Sequence, residues 1–119
     1  MAEARGACAP ALLWRIEELG EVDSTNDLLL ARARAGEAEG LVLRADAQRR
    51  GRGRSGRGWH SPPGGLYFSA LLRPPLEAGR IPALTLLAGV AAAEGLARLA
   101  GTGGRKVGLK WPNDLRIGG

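Results

Sequence analysis

Apolar and polar positions alternate most regularly over Leu41–Ala47, where Leu41, Leu43 and Ala45 stand between Val42, Arg44 and Asp46. A two-residue period sends successive side chains to opposite faces, so this segment predicts a half-buried β-strand. Upstream, Leu12–Leu19 is mostly apolar and reads as a strand or the approach to one. Between them lies a helix. Ser24 can serve as its N-cap, and Asp27 follows three residues later in a capping-box-like arrangement. Leu28, Leu29 and Leu30 supply its buried face, Arg32 and Arg34 sit near its C-terminal end, and Gly36 stops it. Gln48–Pro63 reads as a glycine–arginine loop, closed by Pro62-Pro63, which forbid a helix. Gly65–Arg73 (GLYFSALLR) is the strongest strand pattern and ends at Pro74-Pro75.

Pro82 to Ala100 predicts a long, nearly all-apolar helix with proline in its first turn and Gly101 after its end. Its composition predicts burial on more than one side. Val107–Trp111 reads as a further strand ended by Pro112, and Arg116-Ile117 as the start of a hairpin whose return strand lies past the turn Gly118-Gly119. Strands and helices interleave without repeats or a domain linker. The pattern predicts an α+β fold with a mixed β-sheet and packed helices, and residues 1–119 are expected to form the N-terminal part of one domain.

Charge sharpens this picture at one place. The net charge of +5 concentrates in Gln48–His60, which holds Arg49, Arg50, Arg52, Arg54 and Arg57 and no acidic residue. Setting those five aside from the 17 basic residues leaves 12, matching the 12 acidic ones. A concentrated cationic segment suits a compact anion such as a phosphate or a short piece of nucleic acid. Elsewhere composition mainly excludes. Hydrophobic residues make up 45% of the 119, which suits a globular core and not a disordered chain. No apolar run reaches the ~18–20 residues of a membrane span, and Met1–Pro10 leads into no apolar signal core. The lone Cys8 cannot form an internal disulfide, in keeping with a reducing compartment, and a cytoplasmic location is expected.

Within Gly51-Arg52-Gly53-Arg54-Ser55-Gly56-Arg57-Gly58-Trp59, glycines permit positive φ and expose N–H groups that can form an anion nest. The interspersed arginines add forked donors for phosphate or carboxylate oxygens. Such a loop is expected to be mobile when empty, since ordering it costs roughly 1–2 kcal/mol per residue. Three look-alikes fail. Gly51, Gly53 and Gly56 match G-x-G-x-x-G, but no helix follows as a dinucleotide fold requires. A P-loop needs Lys and Ser/Thr where Arg57 and Gly58 stand. A disordered RNA-binding box belongs in a low-complexity tail, whereas this segment lies between two strands.

Taken together, Gln48, Gly51-Arg52-Gly53-Arg54-x-Gly56-Arg57-x-Trp59-x-Ser61, the upstream Asp23-Ser24-Thr25-Asn26 and the downstream Lys110-Trp111-Pro112-Asn113-Asp114-Leu115 resemble, in order, the signature segments of biotin–protein ligases. Leu66-Tyr67-Phe68-Ser69 is similar to the strand after the family's loop. The likeness runs over about residues 12–119. Lipoate ligases share the fold but lack the glycine–arginine loop.

The resemblance implies a biotin/lipoate-ligase-like catalytic domain, akin to class II aminoacyl-tRNA synthetases. Biotin and ATP, with Mg²⁺, are the implied substrates and cation. Biotinyl-5′-AMP is the implied intermediate, and a lysine of a biotin carboxyl carrier protein, a carboxylase subunit, the acceptor. No protein nucleophile is needed, so positioning and stabilisation of phosphoryl charge carry the catalysis. The resemblance implies that Ser24, Thr25, Asn26, Gln48, Arg52, Gly53 and Arg54 bind biotin. It implies that Gly51, Arg54, Arg57, Trp59, Lys110 and Asn113 meet ATP or the adenylate, with Arg54 and Lys110 catalytic, and no metal site is assigned to side chains. Ser24, Gln48 and Arg54 are expected to border one cavity.

The family's essential lysine follows K-W-P-N-D, beyond Gly119, so the chain reads as a fragment that is inactive alone. No winged-helix segment precedes the matched region, so neither DNA binding nor a membrane role is expected, and the full-length protein can be a homodimer. Two other readings remain open on the residues. One is a non-catalytic biotin-binding remnant; the other is a small RNA-binding module built on the glycine–arginine segment. Bland readings also stand beside the sharp ones: Ser24 as a simple helix cap, Trp59 and Trp111 as packing residues, Asp114 as a turn brace, His60 as solvated and Glu94 as the wet edge of its helix.

Overall fold

The computed structural model describes residues 12–99, 106–110 and 114–118. They fall into two compact units, Met1–Arg73 and Pro74–Gly119, divided at the diproline that ends the strongest strand pattern.

The first unit is a mixed sheet with one helix on it. Strand β1 (Arg15–Val22) leads into helix α1 (Thr25–Arg34), which leads into β2 (Leu41–Arg52). β1 and β2 pair in parallel, from Arg15 opposite Leu41 to Val22 opposite Gln48. Two parallel neighbours need a crossover, and α1 supplies it. β2 is 12 residues long and serves two partners along its other edge. Its first half pairs antiparallel with β4 (Tyr67–Ala70), and its second half with β3 (Gly58–Ser61).

The alternation of β2 is the reason the sheet holds. Leu41, Leu43, Ala45 and Ala47 all turn inward and are buried. Leu41 and Leu43 pack with Leu29 of α1 and with Leu71, and Leu19 and Ala33 close the edge of this core. The opposite face of the sheet, within this unit, carries Ile16 and Phe68 together with Arg44, which is ion-paired to Glu18 and Asp46.

Ser24 caps α1: its Oγ accepts from the Asp27 backbone N–H at 3.2 Å, as the sequence predicts. At the other end Arg73 donates from Nη2 to the carbonyls of Ala33 and Glu37, both at 2.8 Å, filling acceptors that a helix C-terminus leaves open. Arg32 bridges the helix to β1. Its Nη2 lies 2.8 Å from Glu17 Oε2 and 3.1 Å from Glu37 Oε1, while Arg15 Nη1 reaches Glu37 Oε2 at 2.8 Å.

The hydrogen bond from Arg32 holds the Glu17 carboxyl below its ordinary value of 4.5. Bonds from Arg15 and then Arg32 do the same for Glu37. A carboxyl whose pKa is lower folded than unfolded contributes stability that is fully present above the unfolded value and vanishes as pH falls through the folded one. The melting temperature is therefore expected to drop as pH is lowered from about 5 to about 3. Glu37→Gln is expected to flatten that slope, and these exposed pairs should weaken in high salt. Parallel melting curves for the two proteins over that interval would contradict the assignment.

Three boundaries differ from the sequence reading, one being the Gly65–Arg73 pattern, of which only Tyr67–Ala70 is strand. β2 does not stop at Ala47 but runs on through Gln48 to Arg52, so Gln48–Pro63 is a β-hairpin and not an irregular loop. The continuation lacks apolar residues and is held by pairing with β3. The first strand is also displaced, starting at Arg15 and ending at Val22 instead of spanning Leu12–Leu19.

The second unit holds helix α2 (Ala83–Arg98) and strands β5 (Val107–Lys110) and β6 (Asp114–Ile117). β5 and β6 pair antiparallel, with Lys110 opposite Asp114. Arg116-Ile117 thus pairs back on β5 as the second strand of a hairpin. The segment 111–113, with the Pro112 read as a strand end, lies outside the described residues. α2 bears on β5 where Gly89 lies against Leu109. It buries none of its residues, contrary to the expectation of burial on more than one side. Among the described residues no helix is long and apolar enough to cross a membrane.

Candidate functional site

The start of α1 and the far half of β2 come together around Gln48. Its Oε1 accepts from the Thr25 backbone N–H at 2.8 Å and from Thr25 Oγ1 at 3.2 Å. Its Nε2 donates to Ser61 Oγ at 3.0 Å, and Ser61 Oγ donates to the Trp59 carbonyl at 3.1 Å. Thr25 Oγ1 also lies 2.8 Å from Ser69 Oγ on β4. Ser24, Thr25 and Ser61 are all buried. Four elements therefore share one chain of hydrogen bonds whose centre is a glutamine amide.

A β-bulge makes this convergence possible. Gln48 pairs with Ser61 and Gly51 with Trp59, so β2 spends one residue more than β3 between the two pairs. Such an insertion bends the strand and re-aims its side chains. Here it sets Gly51 against Ser61 and Gln48. A Cβ on Gly51 would lie 2.5 Å from Ser61 Oγ, 2.6 Å from the Trp59 carbonyl oxygen and 3.0 Å from Gln48 Nε2. The extra residues are pinned by Asp23. Its carboxylate takes Arg49 Nε at 2.8 Å, and its backbone carbonyl accepts from the Arg50 N–H at 2.7 Å. The hydrogen bond from Arg49 also holds the Asp23 carboxyl below its ordinary range.

The hairpin tip turns at Ser55-Gly56, both in the left-handed region, with φ of 57° and 74°. Two positive φ values at the centre define the mirror-image turn whose twist matches paired strands. Arg57 N–H donates to the Arg54 carbonyl at 3.2 Å, and Gly53 N–H to the Arg57 carbonyl at 2.7 Å. The segment is not the nest expected of alternate glycines: Gly51 and Gly53 do not take positive φ, and two of the amides serve the turn itself.

The five arginines divide by role. Arg49 is tied to Asp23, and Arg52 Nε lies 2.6 Å from Asp27 Oδ1, clasping the hairpin to the first turn of α1. Arg50, Arg54 and Arg57 make no ion pair among the described residues, and all three side chains are exposed. Beside the clasp an open groove of about 390 Å³ is lined by Asn26, Asp27, Leu30, Arg34 and Arg52.

The sequence-predicted residues thus separate into groups. Thr25 and Gln48 bond directly, and Ser24, Gly51 and the Trp59 carbonyl are immediate neighbours. Asn26 and Arg52 line the adjoining groove, whereas Ser24, Gln48 and Arg54 do not border it. Gly53, Arg54 and Arg57 belong to the tip, and the Trp59 ring is largely exposed. Lys110 is exposed on β5 of the second unit, and Asn113 lies outside the described residues. Four participants were not among the predicted site residues: Asp23, Asp27, Ser61 and Ser69. All but Asp27 stand inside the quoted signature segments, which is the signal that could have found them.

Comparison with known proteins fits this geometry. The profile of the Biotin/lipoate A/B protein ligase family matches residues 19–119. The chain is 45% identical over 82 residues to the bifunctional ligase/repressor BirA of Bacillus subtilis, covering 68% of this chain and 24% of that protein. It is 37% identical over 109 residues to the biotin–[acetyl-CoA-carboxylase] ligase of Mycobacterium tuberculosis, covering 86% and 40% respectively. Among solved structures, the biotin protein ligase from Aquifex aeolicus in complex with biotin and ATP superimposes with a TM-score of 0.70 at 40% identity, covering 85% of this chain and 40% of that one. The chain spans about a quarter to two fifths of the length of these relatives. It has their mixed sheet with packed helices, and it belongs to the biotin/lipoate A/B protein ligase family, in the catalytic-domain region of the biotin–protein ligases.

Proposed function

We propose that the protein carrying this chain activates biotin with ATP and transfers it to a lysine of a biotin carboxyl carrier protein. The observation that carries this reading is the buried Thr25–Gln48–Ser61 hydrogen-bond chain beside a cationic hairpin tip. A ureido ring presents one carbonyl and two N–H groups, which amide and hydroxyl side chains can match. The exposed guanidinium groups of Arg54 and Arg57 suit phosphoryl oxygens.

The reaction runs in two steps. A carboxylate oxygen of biotin attacks the α-phosphorus of ATP; the new P–O bond gives biotinyl-5′-AMP, and pyrophosphate leaves. The carrier's lysine amine then attacks the acyl carbon, forming an amide, losing a proton and releasing AMP. Both nucleophiles belong to substrates, so this chain's residues bind and orient. The α1 start and β2 hold the ring, Arg52 and Gly53 border the carboxylate arm, and Arg54 offsets the charge that develops on the α-phosphate. Gly51, Arg57, Trp59, Lys110 and Asn113 serve the nucleotide. Mg²⁺ would arrive with ATP. Among the described residues no three carboxylate, imidazole or thiol side chains meet to cage it.

Biotin-dependent exchange of pyrophosphate into ATP by the full-length protein tests the first step, and labelled biotin appearing on a carrier domain tests the second. Exchange is expected only when biotin is present. Absence of exchange at saturating biotin and ATP, or exchange indifferent to biotin, would overturn the reading.

A further inference from the structure

Ser61 has no assigned function, yet donor and acceptor chemistry gives it one. A backbone N–H can only donate, so the atom of Gln48 that meets Thr25 N must be the amide oxygen. The amide nitrogen therefore faces Ser61. A backbone carbonyl can only accept, so the single Ser61 hydroxyl proton goes to Trp59 O, leaving a lone pair for Gln48 Nε2. Each link fixes the sense of the next, and the chain admits one polarity.

The consequence falls on the ligand side of Gln48. One lone pair of Oε1 is taken by the Thr25 N–H, the other faces Thr25 Oγ1, and one Nε2 hydrogen is used by Ser61. The second Nε2 hydrogen of Gln48 remains, with Gly51 immediately beside the amide. Resting on the proposed biotin reading, we infer that Ser61 is a positioning residue for biotin recognition: it anchors the Gln48 amide so that an N–H donor is turned toward a carbonyl oxygen of the ligand. Ser61 is itself buried and acts through Gln48, without touching the ligand.

Calorimetric titration of biotin into the full-length protein tests this with four proteins: the wild type, Ser61→Ala, Gln48→Ala and the double variant. Ser61→Ala is expected to weaken biotin binding about tenfold, the scale of one lost hydrogen bond at a buried site. It is expected to leave the melting temperature within a few degrees of the wild type and to add nothing in the Gln48→Ala background. Ser61→Cys, which keeps a weaker donor of similar size, is expected to fall between and serves if the alanine variant folds poorly. Wild-type affinity in both Ser61 variants would overturn the inference while leaving the biotin reading intact. So would an equal loss in the two backgrounds, since that marks a general structural effect. A wild-type protein that does not bind biotin would instead remove the reading on which the inference rests.

Discussion

Gly51→Ala is expected to weaken biotin binding by the full-length protein at least about a hundredfold, more than any single hydrogen-bond deletion in the site. The added methyl would sit 2.5 Å from Ser61 Oγ and 2.6 Å from Trp59 O. Neither obstacle is the free end of a flexible side chain. Trp59 O belongs to the backbone of β3, and Ser61 Oγ is held between Gln48 and that same carbonyl. Relief requires β3 to move away from β2 or the serine to swing out, and both break the hydrogen-bond chain that orients Gln48. Gly53→Ala provides the contrast. Its methyl would meet nothing closer than the Arg57 carbonyl oxygen at 3.5 Å. The smaller penalty is expected there. Biotin titrations of the two variants check this, and a Gly51→Ala protein with near-wild-type affinity would contradict the description of the bulge.

The second large effect is on stability. Leu43→Ala is expected to cost about 2–5 kcal/mol, the range for a fully buried leucine whose site cannot collapse. Leu43 is 1% exposed and packs with Leu29, Leu41 and Leu71, which together bring α1, β2 and the segment after β4 into one core. That core is small, so no neighbouring layer is available to refill the space. β2 also carries Gln48 and Gly51 further along the same strand, so loosening Leu43 should reduce biotin affinity as well as the urea midpoint. An unfolding free energy lowered by less than about 1 kcal/mol would show that the strand is not the central support.

Much of this arrangement was legible in the sequence because it follows from local rules. The alternation of Leu41, Leu43 and Ala45 gave the inward face of β2, and Ser24 with Asp27 gave the start of α1, where the cap hydrogen bond is found. Prolines and glycines bracketed α2 within a few residues. The order of motifs from Asp23 to Asp114 led to the family, which the family profile and the relatives bear out.

What escaped the sequence depends on long-range pairing. Gln48-Arg49-Arg50-Gly51-Arg52 has no apolar residue and reads as a loop; it becomes a strand because β3 folds back on it and Asp23 holds the bulge from 26 residues away in sequence. The contact between Thr25 and Gln48 requires the parallel register of β1 and β2, which no local pattern records. Arg49 and Arg52 were counted as part of one cationic surface, but each is already partnered by an aspartate of the α1 entrance. The charge available at the hairpin is consequently narrower than composition suggests and rests on Arg50, Arg54 and Arg57, the last two at the tip.

The central claim is that the amide of Gln48, locked between Thr25 and Ser61, is the seat of the biotin ring. Measuring the amide hydrogen exchange of the full-length protein with and without biotin addresses it most directly. Saturating biotin is expected to slow exchange at Thr25, at Gly51 and through β3, and Gln48→Ala is expected to diminish that protection and to weaken binding. Protection confined to other segments, or undiminished in Gln48→Ala, would contradict it.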